Sequence, residues 1–134
     1  MKLKLITPDR EFFAGDIESV TSTAPSGDFE ILEGHGAWVS PLQICTLAAR
    51  VDADTQKVFA VHGGLIEVQG DSILVLGDIA EAAEEIDRAR AERALGRAKE
   101  KVAAVAEKGG EEHARARDAM ARAEARLEAS TTGH

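Results

Sequence analysis

V-H-G-G-L-I-E-V-Q-G-D-S-I-L-V-L-G-D-I-A-E-A-A-E-E-I-D-R-A-R-A-E-R-A-L-G-R, residues 61–97, changes character halfway along its length. Up to Leu76 it is aliphatic and β-branched, with glycines between the runs, as strands and tight turns require. After Ile86 the apolar residues recur at helical spacing among alanines and charges. The acidic segment between them reads as a linker that caps the helix. Two unlike units therefore meet near residue 86. Residues 1–86 set Lys2, Lys4, Arg10, Arg50 and Lys57 against fifteen carboxylates, a balance of −10, whereas residues 87–134 carry +2. A chain of 134 residues accommodates one compact domain with an appendage.

Ahead of the junction the sequence predicts short strands at 2–7, 17–24, 29–32, 37–40, 44–51, 56–61, 64–69 and 72–76. Thr7-Pro8-Asp9, Pro25-Ser26-Gly27-Asp28, Gly34-His35-Gly36, Asp52-Ala53-Asp54 and Gly70-Asp71 punctuate them. Strands about ten residues apart with no helical period between them predict an antiparallel β-sandwich, or flattened barrel. The pair Gly63-Gly64 is expected to turn a tight hairpin between two of these strands, through positive φ or close backbone approach. With four Phe and one Trp, the core has to be built mainly from Leu, Ile and Val.

Beyond residue 86, Ala91, Leu95, Ala98, Val102 and Val105 fall on one stripe of a helix. Gly109-Gly110 reads as a stop and turn, and Ala116, Met120, Ala123 and Leu127 repeat the spacing. The two stripes predict an antiparallel two-helix hairpin over 87–134. Fourteen of these 48 residues are alanine, so the seam buries little apolar surface per turn. Gly96 inside the first helix costs about 1 kcal/mol more relative to alanine. Such a hairpin is able to open.

A net charge of −8 argues against nucleic acid or anionic lipid as a direct partner, since both demand a clustered basic surface. The basic helices remain suited to an acidic protein. No apolar run is long enough to span a bilayer, and the amino terminus lacks the apolar core of a signal peptide, so a soluble, unexported chain without direct membrane insertion is expected. Cys45, the one cysteine, reads as a buried small side chain in a reducing compartment; the alternative, a reactive thiol, has no cationic neighbour in sequence to support it. His35, His62, His113 and His134 share no ligand spacing, so no metal is expected. Glu84-Glu85 and Glu111-Glu112 suit helix starts better than an acid–base dyad. No phosphate-binding G-x-x-x-x-G-K-[ST] loop is present, and no catalytic activity or required cofactor is expected.

The order G-D-F-E-I-L-E-G-H-G-A-W-V-S-P-L (27–42), G-G-L-I-E-V (63–68), L-G-D-I-A-E (76–81) and I-D-x-x-R-A (86–91) resembles the epsilon subunit of bacterial F-type ATP synthases over nearly the whole chain. The resemblance implies that 1–86 form a β-sandwich gripping the gamma subunit and resting on the c-subunit ring. It implies that 87–134 form a regulatory hairpin, folded on the sandwich or extended along gamma into the alpha and beta subunits. The chain would be a rotor-stalk subunit that couples proton flow to ATP synthesis and restrains hydrolysis, peripheral at the cytoplasmic face of the cell membrane.

The same resemblance implies a contact with the c ring through Asp28 and His35, although Glu30 and Glu33 replace a common glycine and proline there. An ordinary solvated turn is the alternative. It further implies regulatory ATP held by Glu81, Ile86, Asp87, Arg90, Ala91, Arg97, Arg122 and Arg126. A carboxylate can accept the adenine amine and guanidinium groups can bind phosphate oxygens. Solvated helix surface with Asp87 as a cap explains the same residues without a ligand. In the extended state Arg115, Arg117, Arg122 and Arg126 would meet acidic surface on beta. A freestanding nucleotide or small-ligand sensor is the other functional class; co-purification with alpha, beta and gamma separates the two.

Overall fold

The computed structural model describes residues 1–25, 27–105 and 110–132. Ser26 of one expected turn, Gly109 of the interhelical turn and His134 lie outside the described residues. Eight strands come first: β1 (Lys2–Ile6), β2 (Glu11–Asp16), β3 (Ser19–Thr23), β4 (Phe29–Leu32), β5 (Trp38–Arg50), β6 (Gln56–Gln69), β7 (Ser72–Gly77) and β8 (Ala80–Ala82). A 3-10 turn over Ala83–Glu85 leads to α1 (Arg88–Val105) and α2 (Gly110–Thr132). The strand order is β2-β1-β7-β6-β5-β3-β4, with β8 also on β6. All pairings are antiparallel except β1 with β7, which run parallel.

This ladder forms two layers because its central strands bend. Pairing of β5 with β6 skips between Leu42↔Gly64 and Ile44↔His62. Before the bend β6 pairs with β8, and after it with β7. Gly63-Gly64 is thus no hairpin turn. The expected strands 56–61 and 64–69 are one strand, kinked at glycines with φ of 86° and 145°. Predicted strands 37–40 and 44–51 likewise fuse into β5. Pro41 is tolerated there because that half of β5 pairs with β6 alone, and the missing N–H faces away from the ladder.

Period-two alternation sorts the side chains. Leu3, Leu5, Ile66, Val68, Ile73 and Val75 of one layer close a core with Val20, Ile31, Leu47, Phe59 and Val61 of the other. Cys45 lies in this core, and burial pushes its thiol up from the ordinary value, as suits an inert side chain. On the outward face of the second layer, Val58 and Ala60 are also buried, together with Ala83, Ala125 and Ala129. There α2 lies on the sheet while α1 packs on α2.

The expected interhelical stripe is present: Ala91, Ala98 and Val105 are buried on α1, and Ala116 and Ala123 on α2. The second apolar face of α2, carrying Ala125 and Ala129, was not expected. Thr46 Oγ1 reinforces it by donating to the Ala125 carbonyl at 3.0 Å. Removing residues 87–134 should leave a folded sandwich, since no helical residue belongs to the central core. Its cooperative melting transition should persist at lower temperature, because Val58 and Ala60 lose their cover; loss of cooperativity would refute separable units.

Candidate functional site

The outward face under α2 also carries polar side chains. Alternation puts His62 on the side of Val58 and Ala60, while β8 pairs Glu81 with Ala60 and sends Ala80 and Ala82 into the core. Glu81 therefore meets both His62 and the helix above. His62 Nε2 lies 2.9 Å from Glu81 Oε1, and Arg126 Nε donates to the same oxygen at 2.7 Å. The His62 hydrogen bond, reinforced by the Arg126 guanidinium, holds the Glu81 carboxyl down at about 2, against the opposing pull of partial burial. Because this lies below the ordinary 4.5, the link contributes fully above that pH and is lost as pH falls toward about 2.

Beside this chain of contacts is a hollow of about 330 Å³ lined by Glu81, Glu85, Ile86, Asp87, Arg90, Ala91, Ala94, Arg97 and Arg126. Seven of the eight residues expected to hold ATP line it; Arg122 does not, and is half-buried elsewhere on α2. Asp87 performs the capping role, its Oδ1 accepting from the Arg90 amide at 3.1 Å. Glu81 is neutralised by Arg126, and Glu85 by Arg10 from the β1–β2 turn. Among the described residues, Arg90 and Arg97 have no ion-pair partner. Two unpaired guanidinium groups, Arg90 in the first turn of α1 and Arg97 about two turns further along it, suit a polyanion, and the volume lies at the small end of ligand cavities.

The remaining expected residues scatter more widely. Asp28 and His35 are exposed, and they flank strand β4. Asp28 Oδ1 accepts from the Ala24 amide at 3.2 Å. The His35 ring sits 5.9 Å from that of Trp38, which packs edge-on against Phe29 at 5.2 Å, returning His35 toward the start of β4. On α2, Arg115 is exposed and pairs with Glu111 at 3.5 Å. Helical spacing aligns it with Arg122 and Arg126, whereas Arg117 stands roughly 160° away. Arg117 instead lines a separate hollow with Gln43, Ile44 and Gly63. Sequence reasoning missed His62 and the lining residues Glu85 and Ala94. The signal for His62 was its phase in the apolar run Val58-Phe59-Ala60-Val61.

Comparison with known proteins agrees with the architecture. Residues 1–83 match the ATP synthase delta/epsilon chain β-sandwich domain, and residues 84–131 the long α-helix domain of the same chain. The chain belongs to the ATP synthase delta/epsilon family. It is 43% identical over 102 residues to the ATP synthase epsilon chain of Bacillus subtilis strain 168, covering 76% of each. With that of Clostridium novyi strain NT it shares 35% identity over 127 residues, 95% of each. A chain in the Euglena gracilis mitochondrial ATP synthase structure containing OSCP, F1 and c-ring has the same fold, with a TM-score of 0.78 at 22% identity over 96% of this chain and 79% of that one. Membership makes this a structural and regulatory stalk subunit rather than a catalytic one.

Proposed function

We propose that this chain is the rotor-stalk subunit through which a proton-translocating ATP synthase couples rotation to synthesis, and that its helical hairpin is a nucleotide-biased brake on hydrolysis. The observation that supports this best is the hollow under the docked hairpin, which gathers Glu81, Asp87, Arg90, Arg97 and Arg126 from the sandwich edge and both helices. A ligand spanning these elements would favour the docked state over the extended one. The sandwich would bind gamma and rest on the c ring by way of Asp28 and His35, at the cytoplasmic face of the bacterial membrane. No helix among the described residues is long and apolar enough to cross that membrane, so attachment would be through these partners.

ATP would bind with its adenine amine toward Glu81 and its phosphates toward Arg90 and Arg97. At one hundred times its dissociation constant, a ligand specific for the docked state adds about 2.7 kcal/mol to it. That suffices to rebalance a hairpin held mainly by alanines. When undocked, α2 would carry Arg115, Arg117, Arg122 and Arg126 toward carboxylates of beta and resist rotation in the hydrolysis direction.

Calorimetric titration of the isolated chain tests the ligand role: millimolar ATP should give a binding isotherm, and Arg90→Ala should weaken it about tenfold or more, the value of one lost charge-assisted hydrogen bond. Absence of binding heat in the unsubstituted chain would remove ATP from the proposal. The brake is tested separately, by hydrolysis rates of the reconstituted head with and without residues 87–134. Equal rates would remove inhibition.

A further inference from the structure

Glu81 has a second partner besides Arg126. Its Oε1 is shared with His62, whose side chain is 2% exposed at the bend of β6 and whose backbone amide is held by the Ile79 carbonyl at 2.8 Å. Among the described residues, Nδ1 of His62 is a buried polar atom with no partner. A carboxylate only accepts, so the hydrogen in this contact lies on Nε2, while Nδ1 makes no bond of its own. A histidine serving only to fill space would gain nothing from that arrangement over leucine. Its Nε2–H is the one polar feature it contributes, and that group is spent on Glu81.

We propose that His62 is a positioning residue: by donating to Glu81 it fixes the carboxylate toward α2, and His62–Glu81–Arg126 forms a polar latch that docks the hairpin without any nucleotide. The latch joins the two elements it needs, the β6–β8 edge of the sandwich and the helix above it. The other charged groups around Glu81 are Glu85 and Asp87 on the linker and Arg90 and Arg97 on α1, across the hollow. None of these makes an ion pair with Glu81, so the carboxylate's orientation rests on His62 and Arg126.

The test uses the full chain with no nucleotide added, so that failure of the ATP reading has no bearing on it. Hydrogen–deuterium exchange of α2 amides reports docking. His62→Leu and Glu81→Gln should speed exchange about tenfold, and His62→Gln, which restores an N–H donor at similar reach, should recover most of it. In acid the midpoint of undocking should move up in His62→Leu, toward the ordinary carboxylate value of 4.5, since the largest influence lowering Glu81 is gone. A leucine variant with wild-type exchange and an unmoved midpoint would overturn the latch. So would a glutamine variant no better than leucine, which would make His62 a space-filler. If His62→Leu loses the sandwich's melting transition, Glu81→Gln decides: faster α2 exchange upholds the latch and wild-type exchange overturns it.

Discussion

Replacing Gly64 by alanine should cost about 4 kcal/mol or more and lower the melting temperature of the sandwich by on the order of 20 °C. Gly64 holds φ of 145°, where a side chain is strained whatever the space around it. A Cβ there would also stand 2.1 Å from the Leu76 carbonyl oxygen and 2.9 Å from the Gly77 Cα, both backbone atoms of the paired strand β7. Relief requires β6 and β7 to separate at the bend that folds the ladder into two layers. The contrast is Gly96, where an added Cβ would meet nothing within 4 Å on the exposed side of α1. Gly96→Ala should stabilise the hairpin by about 0.5–1 kcal/mol. Thermal melts followed by circular dichroism compare the two; a Gly64→Ala protein melting within a few degrees of the parent would contradict the close approach.

Ala129→Asp should release the hairpin while leaving the sandwich folded. Ala129 is fully buried against Val58, Ala60 and Ala83, with no cation among its cluster. An unpaired carboxylate held there costs several kcal/mol. The docked interface has little to set against this: small alanine side chains, the Thr46 bond to the Ala125 carbonyl and the Arg126 link to Glu81. Undocking avoids the burial altogether. The expected signature is a larger radius of gyration by small-angle scattering, with a cooperative sandwich transition retained. On the proposed function, ATP binding falls and inhibition of hydrolysis in the reconstituted head rises. An unchanged radius would show that α2 accommodates the charge in place.

Two differences between expectation and fold have the same origin. Residues Glu11–Asp16 form β2, although E-F-F-A-G-D shows neither clean alternation nor a β-branched residue; the strand exists because it pairs along β1 at the edge of its layer. Ala80–Ala82 form β8 although A-E-A-A-E-E favours helix, because Phe59, Ala60 and Val61 offer it a ladder. In both, pairing with a strand already in the ladder overrides local preference. The glycine pair was legible as a place of positive φ, yet whether it turned the chain back or kinked a continuous strand depended on β7 lying against it.

The sequence by itself determined the strand-rich first half, the α1 stripe and its counterpart on α2, and, through the family resemblance carried by I-D-x-x-R-A, four of the residues that line the hollow. Those features are written in periodicities of two and 3.6 and in short motifs, which act within a few neighbouring residues. Only the tertiary structure decided that α2 has a second apolar face, that Arg126 but not Arg122 closes on Glu81, and that His62 stands behind that carboxylate. These depend on β6, β8 and α2 converging from positions 62, 81 and 126, and no local period encodes such a meeting; it follows from a bend in two paired strands and the rotation at which an alanine-faced helix settles on the sheet.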